Sequence, residues 1–312
     1  MSDDGDGPPP PPIPVERRTP LPHQLPKSAI DEPDAEARVR RIIDSASYRP
    51  AHADEEFMER EELRPARLEL EYLKPELALQ EHGIESTIVL FGGTRVVEPA
   101  VALRSVAQLE AQHAAAPADD AIAQRLRVAR RVADKSHYYE VARQFAAIAG
   151  ERCVRSGGHF AVMTGGGPGI MEAGNRGASE SGAPSIGLNI VLPMEQYPNP
   201  YLTPGLCFQF RYFALRKLHF LKRARALVAF PGGYGTMDEL FDALCLIQTR
   251  KITPMPVILV GRAFWERAID FPFLLEEGVI DPEDLDLFCH AETAADIWSH
   301  IERWYAQASP PR

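Results

Sequence analysis

Three glycines, a threonine and a glutamate lie close together in Ala226-Leu-Val-Ala-Phe-Pro-Gly-Gly-Tyr-Gly-Thr-Met-Asp-Glu239, where a buried strand runs into a turn and then opens a helix. Glycines let backbone N–H groups approach an anion, and at a helix N-terminus those donors and the macrodipole favour phosphate. Glu239 follows Thr236 by three residues, so it either completes a reciprocal capping box or faces whatever the loop binds. Upstream, Phe213-Ala-Leu-Arg-Lys-Leu-His-Phe220 sets Arg216 and Lys217 in a strongly apolar helix. A partly buried cation needs an anion, which is either a structural carboxylate or a ligand. Lys217, Lys222 and Arg223 also fit an ordinary solvated face. His219 reads as a packed histidine, because no Ser or Cys nucleophile stands beside it.

Two further glycine loops follow strand-like runs: Gly92-Gly93-Thr94-Arg95 after Ser86-Thr-Ile-Val-Leu-Phe, and Gly165-Gly166-Gly167-Pro-Gly169 after Phe160-Ala-Val-Met-Thr164. None matches GxGxxG with an acidic ribose clamp, and none is GxxxxGK[ST]. Taken singly, Gly165 to Gly169 reads equally well as a turn. Together, after parallel strands, the loops are better explained by a ligand crevice at the carboxyl ends of a sheet, with a nucleotide as the natural occupant. Glu172 and Asn175 fall one turn into the helix after the second loop, where capping and packing support compete with ligand contact.

These loops must be positioned by alternating strands and helices. Further strands are expected at Ser185 to Val191, Leu206 to Phe210, Pro256 to Val260 and Asp286 to Cys289, with helices between them. The rhythm predicts an α/β fold, a Rossmann-like doubly wound, mainly parallel sheet with an N-terminal helical extension. The expected division is a Pro-rich disordered tail over 1–34, a helical arm over 35–83 and the sheet domain over 84–308. An Ala-, Arg- and Gln-rich helical insertion is expected at about 96–136. In the arm, Phe57, Leu63, Leu68, Leu70 and Leu73 are spaced for one apolar face. Trp265, Trp298 and Trp304 read as core or interface aromatics.

The 312 residues and 45% hydrophobic content suffice for one large domain with extensions. A net charge of -10 argues against nucleic acid, so phosphate is expected at a local site and not on a basic face. Cys153, Cys207, Cys245 and Cys289 have no metal-like spacing and read as buried thiols in a reducing cytoplasm. The N-terminus has neither a basic n-region nor an apolar h-region, and no run reaches membrane-spanning length, so neither a signal peptide nor a membrane partner is expected.

Gly165-Gly-Gly-Pro-Gly-Ile-Met-Glu-Ala-Gly-Asn175, Arg216-Lys217 and Pro231-Gly-Gly-Tyr-Gly-Thr-Met-Asp-Glu239 together resemble the motif set of the LOG ("Lonely guy") family of nucleotide phosphoribohydrolases, over roughly residues 84 to 305. The resemblance implies a homodimer or higher oligomer, bacterial in type, that hydrolyses the N-glycosidic bond of a nucleoside 5′-monophosphate such as AMP without metal or cofactor. It carries the catalytic roles to Arg216 and Glu239. Gly232, Gly233, Tyr234, Gly235 and Thr236 would hold the 5′-phosphate. Lys217, Glu172, Asn175, Arg95, Gly92 and Gly165 to Gly167 would complete the substrate site. Plant members that activate cytokinins carry a Met-His pair shortly before the Arg-Lys; Phe213-Ala214-Leu215 stands here instead, which favours AMP or related substrates over a cytokinin ribotide. A nucleotide sensor or carrier on the same fold is the main rival. A pyridoxal-phosphate decarboxylase would need a Schiff-base lysine, and nothing singles one out.

Overall fold

Seven runs of apolar residues pair into one all-parallel sheet: β1 (Ser86–Phe91), β2 (Phe160–Thr164), β3 (Ser185–Ile190), β4 (Cys207–Phe210), β5 (Ala224–Ala229), β6 (Val257–Val260) and β7 (Phe288–Ala291). The computed structural model describes residues 19, 21, 27–193 and 197–308. The tail expected over 1–34 therefore falls largely outside the described residues. The helices are α1 (Ala35–Ile43), α2 (Glu55–Met58), α3 (Arg64–Glu81), α4 (Pro99–Ala115), α5 (Asp120–Lys135), α6 (His137–Arg155), α7 (Ile170–Glu180), α8 (Phe213–Lys222), α9 (Tyr234–Gln248), α10 (Arg262–Ala268), α11 (Phe271–Glu276) and α12 (Ala294–Ala308).

The described chain forms two compact units, one ending at Arg67 and the other beginning at Leu68. In the first, α1, α2 and short 3₁₀ turns lead to the start of α3. Asp54 caps α2 by accepting from the Phe57 N–H at 3.2 Å, and Arg67 donates to the Arg60 carbonyl at 2.7 Å. The apolar face expected of the arm is not a buried stripe. Phe57, Leu70 and Leu73 are exposed, and the residues of α3 that are buried are Pro75, Glu76 and Leu79. Residues 70, 73 and 77 share the opposite side of the helix, so only its last turns reach the core.

In the second unit the strand order is β4-β3-β2-β1-β5-β6-β7. Alternate residues feed two separate cores, as the period of two along a strand demands. Val89, Phe91, Leu227 and Leu259 meet Leu79, Phe220 of α8 and Leu240 of α9 on one face. Ile88, Leu90, Val228 and Ile258 meet Phe145 of α6, Ile170 of α7 and Ile297 of α12 on the other. With both faces covered the strands are apolar almost throughout, and each large side chain so buried contributes roughly 1.5–3 kcal/mol. The fold is thus a Rossmann-like, doubly wound sheet, parallel at every pairing.

The reversal of strand order falls between β1 and β5, where parallel α/β sheets leave a crevice outside the strand ends. The helical insertion is a pair, α4 and α5, packed together, with Leu109 and Leu126 buried. Asp119 starts α5 by accepting from the Ala121 and Ile122 N–H groups at 2.9 and 3.1 Å.

Two expectations about local structure change. The last strand begins at Phe288 and not Asp286, because Pro282–Leu287 is a 3₁₀ turn held by the reciprocal Asp281 and Asp284 cap. Among the cysteines only Cys153 is buried. Cys207 and Cys245 are exposed and Cys289 is half-buried, all of them free thiols. Cys207 sits on the edge strand β4, whose alternation turns Phe208 and Phe210 inward and Cys207 outward.

Candidate active site

The three glycine loops meet one another at the strand ends. The Gly93 N–H donates to the Pro231 carbonyl at 2.9 Å, and the Ile170 N–H donates to the Gly93 carbonyl at 3.3 Å. Gly169, at φ +73°, lies so close that a Cβ there would sit 2.4 Å from the Gly93 oxygen. Only glycine meets both demands. The loop after β2 is thereby locked to the loop after β1, which is locked in turn to the loop after β5.

Below that lock is a set of buried amides and hydroxyls. Thr164 Oγ1 donates to Asn175 Oδ1 at 2.7 Å and accepts from the Gly166 N–H at 2.9 Å. Asn175 Nδ2 donates to Ser185 Oγ at 2.8 Å, and Asn199 Nδ2 donates to Asn175 Oδ1 at 2.8 Å and to the Gly167 carbonyl at 3.0 Å. Asn175 is fully buried, with its amide engaged by these partners, so it supports the Gly165–Gly167 loop from beneath. Asn199, which the sequence did not single out, shares that task. Glu172 faces another direction, accepting from the Tyr139 hydroxyl at 2.9 Å.

The loop after β5 is ready for an anion. Helix α9 starts at Tyr234 with Gly233 as its N-cap, and the N–H groups of Gly233, Tyr234 and Gly235 make no hydrogen bond among the described residues. Nothing stands within 4 Å of where a Cβ would project from Gly233 or Gly235. Gly232 is different, since a Cβ there would be 2.1 Å from the Thr236 hydroxyl oxygen. Free donors, open space and the helix dipole coincide at this loop.

Because α9 begins two residues before Thr236, the capping-box alternative for Thr236 and Glu239 does not hold. Glu239 lies deep in the second turn, only 3% exposed, and its Oε1 has no hydrogen-bond partner among the described residues. Arg216 Nη2 of α8 approaches it to 3.6 Å, an ion-pair distance too long for a hydrogen bond. The Arg216 guanidinium also lies over the rings of Phe213 and Phe220, 5.1 and 5.3 Å from their centroids, and its Nε is buried without a partner. Burial pushes the Glu239 carboxyl up to about 7 against the opposing pull of Arg216 and Lys217. Burial likewise lowers Arg216, with Glu239 opposing. Lys217 is occupied elsewhere, donating to Asp238 at 2.7 Å. His219 is buried between Tyr72 and Phe210, with Nδ1 3.3 Å from Glu76 Oε1.

A cavity of about 640 Å³ opens at the β1/β5 switch point, lined by Gly93, Thr94 and Arg95 on one side and by Pro231, Gly232 and Gly233 on another. Its third wall is α5. Gly92 stands just inside the first loop, where a Cβ would strike Ile170 at 2.6 Å. Neither Arg216 nor Glu239 lines this cavity. The structure thus gathers the β1 and β5 loops with Arg95 around open space. The Arg216–Glu239 pair lies on the adjoining helices, and Glu172 and Asn175 lie on α7. The sequence reading missed the α5 wall, although Arg127, Arg131 and Lys135 recur there at helical spacing. Among the described residues no cluster of three or more His, Cys, Asp or Glu is arranged for a metal ion, and no helix is long and apolar enough to cross a membrane.

An all-parallel, doubly wound sheet with glycine loops interlocked at its switch point defines a Rossmann-like α/β protein. Residues 171–301 match the family model described as "Possible lysine decarboxylase". Over 91 residues it is 31% identical to "Cytokinin riboside 5′-monophosphate phosphoribohydrolase LOG3" of Arabidopsis thaliana, covering 28% of this chain and 42% of that protein. It is 30% identical over 91 residues to "Probable cytokinin riboside 5′-monophosphate phosphoribohydrolase LOGL5" of Oryza sativa subsp. japonica, covering 28% and 37%. The matches span less than half the length of these relatives. A solved structure of a Moco carrier protein from Chlamydomonas reinhardtii is 18% identical, with 72% of this chain and 99% of that one covered at a TM-score of 0.41.

Proposed function

We propose that the protein hydrolyses the N-glycosidic bond of a nucleoside 5′-monophosphate, AMP or a related purine nucleotide, giving the free base and ribose 5-phosphate. The observation that carries this reading is Glu239: a buried carboxylate with an unpartnered oxygen, next to Arg216 and on the helix whose first turn offers free N–H donors. A buried, unsatisfied charge costs stability, and such groups concentrate at functional sites. Similarity over 91 residues to relatives named phosphoribohydrolases supports the same chemistry.

In this reading the Gly232–Thr236 turn holds the 5′-phosphate. The bond from C1′ to the base nitrogen breaks with its electron pair leaving on the base, while a water oxygen bonds to C1′ and the water's proton ends on the base. The Glu239 carboxylate stabilises the positive charge developing on the ribose and polarises the water. Arg216, too basic to act as a proton donor, stabilises negative charge on the departing base or orients the nucleotide. Residues 84–308 carry this chemistry, with Arg95, Glu172 and Lys217 at its margin. A homodimer completes the proposal, supported by the exposed apolar Phe213, Tyr234 and Phe241 beside Lys217; a bacterial cytoplasm is the setting proposed for it.

A second reading, a nucleotide sensor or carrier, is favoured by one observation: the open cavity touches the phosphate loop without including Glu239 or Arg216. Assaying base release from AMP, GMP, CMP, UMP and isopentenyl-AMP, with binding measured in parallel, separates the two. Turnover by the wild type that disappears in Glu239→Gln with affinity retained supports hydrolysis. Binding of AMP without release of adenine sinks it in favour of the sensor, and preference for isopentenyl-AMP would move the substrate to the cytokinin ribotides.

A further inference from the structure

Helix α5 presents one continuous face to the cavity, made of Gln124, Arg127, Val128, Arg131, Val132 and Lys135. These positions recur at i, i+3, i+4, i+7, i+8 and i+11, the spacing of a single helical stripe. Three of them are cations, and Arg95 from the loop after β1 adds a fourth on a neighbouring wall. No Asp or Glu lines the cavity, although the chain as a whole carries 44 acidic residues against 34 Lys and Arg.

None of the four cations has a carboxylate partner among the described residues. Arg127 is held by the neutral Gln124 amide at 3.1 Å, and Lys135 donates to the Arg131 carbonyl. Elsewhere on the hairpin and its neighbours, Arg130 is paired to Glu110 at 2.8 Å and Arg143 to Glu180 at 2.7 Å, while Arg104 and Arg125 have no carboxylate partner among the described residues. Four cations without a carboxylate partner thus line one cavity together with the Gly232–Gly233 turn. Between the cations, Val128 and Val132 supply an apolar strip, and the volume of about 640 Å³ suits a small-molecule site.

Resting on the phosphate-binding reading of that turn, we propose that the α5 stripe and Arg95 form a second anion subsite, so that the cavity takes a nucleoside 5′-di- or triphosphate in preference to a monophosphate. Four cations exceed the roughly two negative charges of a single phosphate and match the about three to four of a longer chain. The first phosphate is held by the Gly232–Gly233 turn and the outer ones by Arg127, Arg131 and Lys135. Because that turn is shared, such a nucleotide competes with the monophosphate substrate.

The test is calorimetric titration of the full chain with AMP, ADP, ATP and inorganic pyrophosphate. It is repeated on an Arg127→Gln/Arg131→Gln/Lys135→Gln variant and on a charge-keeping Arg127→Lys/Arg131→Lys/Lys135→Arg variant, with thermal unfolding to confirm folding. The wild type and the charge-keeping variant should bind ADP and ATP at least about tenfold more tightly than AMP, and the glutamine variant should lose most of that ratio. Equal affinities in the wild type, or a ratio that survives the glutamine substitutions, overturn the subsite. Pyrophosphate binding as tightly as ADP overturns its nucleotide class. If the preference holds but no base is released from AMP, the hydrolytic reading fails and the subsite stands; if AMP is cleaved without any preference, the reverse follows.

Discussion

Arginines serve two neighbouring regions of this molecule under opposite conditions. Arg216 is buried, stacked over two phenylalanines and aimed at one buried carboxylate, whereas Arg127 and Arg131 are exposed on a cavity wall with no carboxylate in reach. In the first setting low polarity makes each charge costly and shifts its neighbour's proton affinity. In the second, water screens the charges and leaves them free to attract an anion. In the proposed site, burial would tune the reactive group and openness would recruit the ligand.

The largest test of that contrast is Glu239→Gln. If the buried pair acts on the reacting centre, turnover of a nucleoside monophosphate should fall by about three orders of magnitude while binding changes only modestly, read by single-turnover base release beside calorimetry. Wild-type-like release would return Glu239 to a structural role. Arg216→Gln should cost about a hundredfold in kcat, and a loss confined to KM would make Arg216 a binding residue only.

A third test is pH. Burial raises the Glu239 carboxyl from 4.5 to about 7, so kcat/KM should fall on the acid side of about pH 7 as the carboxylate takes up a proton. The sign for stability is the opposite. The folded state holds this proton more tightly than the unfolded one, so the stabilisation is complete below 4.5 and is lost as pH rises through about 7. Glu239→Gln lacks that slope and should gain on the wild type, by on the order of 1–3 kcal/mol, between about pH 5 and about pH 8 in denaturant titrations. A constant gap would mean the carboxyl is not raised.

The smallest expected effect concerns salt. Raising ionic strength from about 0.05 to about 0.5 M should weaken AMP binding several-fold while leaving kcat at saturation nearly unchanged, because the open cations are screened and the buried pair is not. A parallel loss in kcat would erase the contrast between the two regions.

Much of the fold was legible because parallel strands covered on both faces read as short apolar runs ending in glycines. Val89, Leu227 and Leu259 announced the sheet, and the loops at Gly92, Gly165 and Gly232 marked its business end. The role of Glu239 was only half legible. Capping and ligand contact share the same tetrapeptide, and the helix start at Tyr234 removes the capping reading. The α5 stripe was present in the sequence but carried no sign of its surroundings, since cations at i, i+4 and i+8 on an amphipathic helix look like any solvated face. Its position beside the β1 and β5 loops is a tertiary fact. Cys207 misled for a related reason: thiols are usually buried, but an edge strand has one side left over.

The pairing of β1 with β5 at the centre of the sheet joins residues 86–91 to residues 224–229. During synthesis β1 must wait with one edge open until more than a hundred further residues have emerged. The loops flanking the cavity cannot meet before then. A chain interrupted between β4 and β5 would therefore present an unpaired apolar strand, ready to join another chain, at the place where the finished protein has its crevice.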